Sequence, residues 1–245
     1  ASNFNHRVGG MERKIYIGSP GKLSEMLKKK DQVSFLVIGV LSIMAIYHLG
    51  LFSLRREDKA SLFFAFFCLD IFVREITAGG YFETFFEKGS NQLFSIRFKI
   101  EYLSLYFAGP ITIMILNHAF PGRIYKYIPK VITGICILFS IPVILFDPVV
   151  FSNYILFFHP INLIFIVYLT SILIYAVIKK DEGAAASLLG LIFLALTIIN
   201  DVLHSTGTIR TSFLVPYGFM AFIFAQSYIL SKKFRPLEYK SKNTI

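Results

Sequence analysis

The sequence predicts an all-α membrane protein, a bundle of seven transmembrane helices with the N-terminus outside the cell and the C-terminus in the cytoplasm. Hydrophobic residues make up 55% of the 245 residues, and the mean hydropathy is +0.63. Soluble domains rarely reach this composition. The hydrophobic residues are gathered in long runs that lack the strict alternation expected of barrel strands. Short segments rich in Lys and Arg separate these runs.

Residues 1–20 are the only part that resembles a soluble domain. They contain a β-like run at residues 14–17 between two glycine-containing turns. One strand cannot fold alone, so we expect the rest of its sheet to lie outside this sequence and the chain to be a segment of a longer protein. Residues 21–32, which carry three consecutive lysines, form either a linker or a helix at the membrane surface.

Residues 33–231 form the predicted transmembrane domain, and residues 232–245 a basic cytoplasmic tail. Each apolar run is about long enough to cross a hydrocarbon layer of roughly 30 Å as a helix. Four prolines fall inside runs, where we expect them to kink helices rather than end them. The predicted spans are residues 33–54, 61–78, 93–119, 127–146, 154–178, 183–204 and 213–231.

The distribution of basic residues predicts the orientation of the bundle. Three connecting loops on one side hold eight Lys and Arg, whereas the loops on the other side hold only Lys88 and Arg210. Cytoplasmic loops carry the excess of positive charge, so the eight are placed inside and face anionic lipid headgroups. The lysine run at residues 28–30 disagrees, but a folded domain upstream would be exported largely regardless of charge.

Several charged and polar residues fall inside the predicted spans, and the orientation places most of them in the outer half of the bundle. Charges at membrane depth are costly unless they are paired or reach water. On the sixth span the polar residues recur at helical spacing and share one face. We expect a cluster in which the arginines face the carboxylates; its members are Arg74, Arg97, Lys99, Glu101, Asn200, Asp201 and His204.

Three interpretations of this polar cluster stay open: an internal network that locks helix packing, a ligand-binding or switch site, and an ion or proton pathway. A metal site built from His159, Asp201 and His204 is conceivable because these side chains are ordinary zinc ligands, but no ligand motif surrounds them. We therefore expect neither a metal nor a cofactor. The two cysteines, Cys68 and Cys136, lie in apolar spans and are expected to be buried. His48 and His118 are expected near the inner face.

Catalytic motifs are absent from the sequence. There is no Gly-Xaa-Ser-Xaa-Gly, no phosphate-binding glycine loop and no His-Glu-Xaa-Xaa-His. We expect that this segment is not an enzyme. No basic stripe with interleaved aromatic residues lies outside the spans, so we expect no nucleic-acid partner.

Several short segments resemble the bacterial seven-transmembrane receptors with diverse intracellular signalling modules. The resemblance covers nearly the whole chain, and residues 2–10 resemble the last strands of the family's extracytoplasmic β-sandwich domain. It implies that residues 1–20 are a remnant of that domain. The segments that carry it are residues 47–60, Arg74 with residues 77–79, residues 99–103, residues 200–204 and residues 226–227.

The resemblance implies a sensor in the bacterial inner membrane, with a jelly-roll-like outer domain that binds carbohydrate or another small ligand. It also implies a cytoplasmic output module such as a cyclase, a histidine kinase or a phosphatase, and signalling as a homodimer. We therefore expect the seven helices to relay an extracytoplasmic signal to that module. The alternative is a transporter or channel for a small solute or ion, which the intramembrane charges favour but the lack of an internal repeat does not.

Overall fold

A computed structural model of the chain describes residues 18–82, 91–205, 208–209, 211 and 214–242. These residues form seven α-helices and no strand, which confirms the predicted all-α class. The strand predicted at residues 14–17 lies outside the described residues. The helices are α1 (Pro20–Leu54), α2 (Lys59–Gly79), α3 (Asn91–Ala119), α4 (Ile128–Leu145), α5 (Pro148–Ile178), α6 (Ala184–Ser205) and α7 (Val215–Lys242).

Most predicted spans match a helix to within two residues, and the exceptions have local causes. Residues 21–32 belong to α1, which begins at Pro20, a residue well suited to a first helical turn because its missing N–H is not needed there. For the same reason α5 begins at Pro148, six residues before the predicted span. Pro110, Pro142 and Pro160 lie inside continuous helices. Pro216 is the second residue of α7, where proline fits the first turn of a helix, so the kink expected at this residue does not apply.

Five helices in the described part of the chain are individually long and apolar enough to cross a membrane: α1, α3, α4, α5 and α6. The other two differ for reasons that the sequence explains. Helix α2 carries Asp70, Arg74 and Glu75 within its 21 residues. The apolar part of α7, Val215–Ile229, is shorter than a full span and continues into a polar helical extension.

Large apolar side chains cover the outer faces of the long helices. On α5, for example, Phe157 and Ile164 are each 69% exposed. A water-soluble protein rarely exposes contiguous apolar surface on this scale. In a bilayer such side chains contact acyl chains, so this surface agrees with a multi-pass membrane protein.

The chain divides into two compact units. Unit 1 comprises Ala1–Ala45, Phe66–Ile111 and Lys126–Ile164; unit 2 comprises Ile46–Ala65, Thr112–Tyr125 and Phe165–Ile245. Helix α4 belongs entirely to unit 1, and α6 and α7 belong entirely to unit 2. Each of the remaining helices contributes one part to unit 1 and its other part to unit 2.

An aromatic cluster forms the core of unit 1. Tyr102 and Tyr106 lie one turn apart on α3 and therefore share a face. The Tyr102 ring packs 5.1 Å from that of Phe151, and the Tyr106 ring 4.6 Å from that of Phe158, both in edge-to-face geometry. Such pairs add about 0.5–1.5 kcal/mol each beyond the burial of their area. The cluster thereby fixes α3 against the first half of α5, and Cys136 and Val143 of α4 complete it.

In unit 2, α6 and α7 pack together through small residues. A Cβ added to Gly190 of α6 would lie 2.8 Å from the Cβ of Ala225 and 3.3 Å from the Cα of Phe222, both on α7. A Cβ added to Gly218 of α7 would collide with the hydroxyl of Thr197 on α6. The two backbones are therefore close along most of the length of α6, as small residues allow at helix contacts in membranes.

Candidate functional site

Three of the predicted site residues meet at the C-terminal end of α6 and organise the turn into α7. The Asp201 carboxylate accepts hydrogen bonds from the first backbone amides of the next helix, Leu214 N–H (2.7 Å) and Val215 N–H (3.1 Å). The side-chain amide of Asn200 donates to Asp201 Oδ1 (2.9 Å). Thr211 Oγ1 in turn donates to Asn200 Oδ1 (2.8 Å). Asn200 and Asp201 thus link the end of one helix to the start of the next.

His204 completes this group. Its Nδ1 accepts a hydrogen bond from the backbone N–H of Thr211 at 3.2 Å. We call Asn200, Asp201, His204 and Thr211 the turn cluster. A carboxylate at the N-terminus of a helix satisfies amides that lack a helical partner and lies at the positive end of the helix dipole. The turn cluster therefore holds the start of α7 through charge-assisted hydrogen bonds.

Arg97 lies in unit 1 and is almost completely buried, with 3% of its surface exposed. Its guanidinium carbon lies 4.5 Å from the centroid of the Phe98 ring and 5.6 Å from that of Phe94. Guanidinium groups within about 6 Å of an aromatic face gain cation–π stabilisation, which is larger when they are shielded from water. The rings of Phe94 and Phe98 therefore stabilise part of the buried charge of Arg97.

Arg74 lies on α2 in unit 1 and interacts electrostatically with both carboxylates of its own helix, Asp70 and Glu75. Within the described residues, Arg74 Nη1 and Asp70 Oδ2 are buried and have no hydrogen-bond partner. Asp70 also lines a groove of about 290 Å³ between α2 and α3, where Ser104 is the other polar residue. Asp70 thus places a carboxylate in an otherwise largely apolar groove.

Lys99 has a role that its position in the sequence did not reveal. Its Nζ donates a hydrogen bond to the carbonyl oxygen of Ile144 at 3.1 Å. Ile144 belongs to the last turn of α4, where carbonyls lack helical partners and positive charge is favourable. Glu101, one turn from Arg97 on α3, accepts a hydrogen bond at its backbone carbonyl from Ser104 Oγ (2.9 Å).

The seven predicted site residues therefore fall into two sets. One set lies in unit 2 and belongs to the turn cluster; it consists of Asn200, Asp201 and His204. The other set lies in unit 1 and consists of Arg74, Arg97, Lys99 and Glu101. That the arginines of one set face Asp201 of the other stays a prediction.

Polar contacts of α7 in unit 2 are functional candidates that the predicted polar cluster did not include. The Gln226 amide donates to Ser187 Oγ of α6 at 3.2 Å, and the Ser187 hydroxyl lies 3.4 Å from Gln226 Oε1. The next residue, Ser227, places its hydroxyl 3.4 Å from Nε2 of His48 on α1. His48 is 1% exposed and packs edge-on against the Phe64 ring of α2 at 4.4 Å. The sequence feature that could have identified these contacts is the occurrence of His, Gln and Ser within apolar runs.

Two loops of unit 2 are joined by an ion pair. Arg123, after α3, donates two hydrogen bonds of 2.7 Å to the carboxylate of Asp181, after α5. Its guanidinium also lies 5.2 Å from the centroid of the Tyr175 ring. These hydrogen bonds lower the pKa of Asp181 and raise the pKa of Arg123. A bidentate pair fixes orientation as well as distance, so it sets the relative position of the two loops.

Among the described residues, no group of three His, Cys, Asp or Glu side chains is placed to hold a metal ion. The buried polar groups instead contact helix ends, neighbouring helices and loops. This arrangement defines a helical membrane protein whose polar interior links helices to one another. A family model described as 7TM diverse intracellular signalling matches residues 30–233.

The chain belongs to this family of seven-transmembrane signalling domains, as the resemblance of its short segments predicted. The match covers all seven helices except the first turns of α1 and the last turns of α7. A comparison with curated proteins gave no match, and neither did a comparison with solved structures.

Proposed function

We propose that this chain is the transmembrane relay of a bacterial sensory receptor in the inner membrane. It receives a signal from an extracytoplasmic ligand or sensor domain, which residues 1–20 would help to form. It passes that signal through the bundle to a cytoplasmic output module. The segment itself performs no catalysis, and the N-terminus lies outside, as the loop charges favour.

The observation that carries this proposal is the construction of α7. Its first amides are held by Asp201, and the helix then continues through Val215–Ile229 to Lys242. A continuous helix transmits a displacement or rotation of one end to the other, because its backbone hydrogen bonds resist local deformation. The turn cluster supplies the input end, and the basic extension supplies the output end.

A ligand can change the output only through different affinities for two arrangements of the bundle. We propose that the turn cluster is the place where that difference acts, because it lies where the loop before α7 meets α6. A signal that moves the loop at Thr211 changes the hydrogen bonds to Asn200 and His204. The start of α7 then moves with it.

A chimera tests the relay. The full chain is fused after Ile245 to a diguanylate cyclase and expressed in bacterial membranes, and cyclic dinucleotide production is measured. We expect Asp201→Ala to change the output several-fold at equal expression, whereas a flexible Gly-Ser insertion before the cyclase removes that effect. An output that ignores Asp201→Ala would count against the relay. Solute-dependent flux through proteoliposomes containing the chain would favour the transporter alternative.

A further inference from the structure

In unit 2, the contacts that the structure gives between α7 and α6 occur at several levels along the two helices. They are the hydrogen bond that Asp201 accepts from Val215 N–H, the Thr197–Gly218 contact, the Gly190–Ala225 contact and the buried Ser187–Gln226 pair. Near the end of α5, Gly183 adopts a φ of +82° and lies directly against Ile229. Towards α1, the hydrogen bond that the structure gives is His48–Ser227.

The hydrogen bond between His48 and Ser227 is weak because it is long. The distance of 3.4 Å from Nε2 to Oγ is at the long end for such a bond. The other ring nitrogen, Nδ1, is buried and has no hydrogen-bond partner among the described residues. A buried polar atom without a partner is destabilising, and in native proteins it calls for a structural or functional explanation.

We propose that His48 and Ser227 form a latch between α1 and a rigid α6–α7 pair, and that signalling opens and closes this latch. The proposal rests on the relay function proposed above and specifies the interface that moves. In it, α6 and α7 shift as one body, because their backbones are in contact through glycine. The shift occurs at the interface with α1, where one long hydrogen bond and an unsatisfied nitrogen offer the least resistance.

Gln226 and Ser227 are adjacent on α7 but contact different helices. Successive residues of an α-helix project about 100° apart, so the two side chains address different neighbours at nearly the same level. Removing the Ser227 hydroxyl weakens the contact with α1, and removing the Ser187 hydroxyl weakens the contact with α6. Ser227→Ala and Ser187→Ala therefore remove the same chemical group, a serine hydroxyl, at nearly the same level along α7.

Distances between spin labels test the latch in nanodiscs. Cys68 and Cys136 are both buried and are replaced by Ala. Labels are attached at Leu54→Cys and Tyr228→Cys to report α1 against α7, and in a second protein at Leu189→Cys and Tyr228→Cys to report α6 against α7. The native residues at all three positions are exposed, Leu54 by 84%.

We expect Ser227→Ala to shift or split the distribution of distances between positions 54 and 228 by about 1–5 Å, the range from small helix shifts to one-turn displacements in known switches. The distribution between positions 189 and 228 should be unchanged. We expect Ser187→Ala to leave the 54–228 mean unchanged. Equal changes in both distributions with Ser227→Ala, or no change in either, would overturn the latch. These distances are measured without any output module. A shift that leaves the cyclase output of the chimera unchanged would therefore support the latch and contradict the relay.

Discussion

Asp201 on α6 binds the first residue of α7: its Oδ2 accepts the backbone N–H of Val215 at 3.1 Å. This relationship makes Asp201 a cap supplied by a neighbouring helix. Removing a capping side chain costs about 0.5–2 kcal/mol. We expect Asp201→Ala to lower the thermal unfolding temperature of the purified protein in detergent, measured by a fluorescent probe of thiol exposure.

Asp201→Asn tests whether this cap needs both carboxylate oxygens. Asparagine keeps one acceptor oxygen, but its amide nitrogen is a donor, whereas Asp201 accepts from Leu214 N–H through Oδ1 and from Val215 N–H through Oδ2. We therefore expect Asp201→Asn to recover only part of the stability that Asp201→Ala loses. An Asp201→Asn variant as stable as the wild type would show that a single acceptor oxygen is sufficient.

The contact between α6 and α7 at Gly190 predicts a cost for the smallest possible side chain. Gly190→Ala places a methyl group 2.8 Å from the Cβ of Ala225, which cannot rotate away. Overpacking of this kind costs about 1–3 kcal/mol. We expect a lower unfolding temperature for Gly190→Ala in a thermal scan.

Gly39→Ala is the matched control. Nothing lies within 4 Å of a Cβ at Gly39, which also lies inside a helix. There, alanine is expected to stabilise by roughly 0.5–1 kcal/mol. If Gly190→Ala and Gly39→Ala both lowered the unfolding temperature, close packing against α7 would not explain the effect at Gly190.

The hydroxyl of Tyr106 is buried, and it has no hydrogen-bond partner among the described residues. An unsatisfied buried hydroxyl costs about 1–3 kcal/mol. We expect Tyr106→Phe, which keeps the ring against Phe158, to be neutral or to raise the unfolding temperature. Tyr106→Leu loses the ring contacts and should lower it. A marked loss with Tyr106→Phe would mean that the hydroxyl has a partner, such as a bound water or ligand.

The ion pair between Arg123 and Asp181 predicts a dependence of stability on pH. The hydrogen bonds from Arg123 lower the pKa of Asp181 in the folded state. Between the lowered value and the ordinary value of about 3.9, the unfolded state binds more protons, so stability falls as the pH falls. We expect Asp181→Asn to unfold at a lower temperature than the wild type at pH 7.

The same difference should shrink as the pH falls below about 4 and vanish once Asp181 is protonated in both states. Thermal scans of both proteins between pH 3 and 7 measure it. A difference that is constant over this range would show that the amide perturbs the loop in some way other than by loss of the charge.

The extent of the helices could be predicted from the sequence because apolar runs and loop charges mark them directly. Four of the seven predicted spans match a helix to within two residues at both ends, as at residues 61–78 and Lys59–Gly79, and the other three match at one end. The start of α5 was missed because the polar residues Ser152 and Asn153 precede the apolar run, whereas the helix begins at Pro148, which fits its first turn.

The side-chain partners could be predicted only in part. Spacing placed Asn200, Asp201 and His204 on one face, and the structure does bring them together. Their partners, however, are a loop threonine and backbone amides, which have no signature in a list of charged residues. His48 was expected near the inner face, but its burial against Phe64 depends on how α1 packs, which spacing along one helix cannot reveal.

The close packing of α6 and α7 also bears on how the protein is made. The two helices are neighbours in sequence, so their contacts close only a short loop and form early and quickly. The carboxylate of Asp201 and the amides that it binds leave the ribosome within 14 residues of one another. We expect the pair to enter the bilayer together as a hairpin, so that Asp201 meets its partners before it meets lipid.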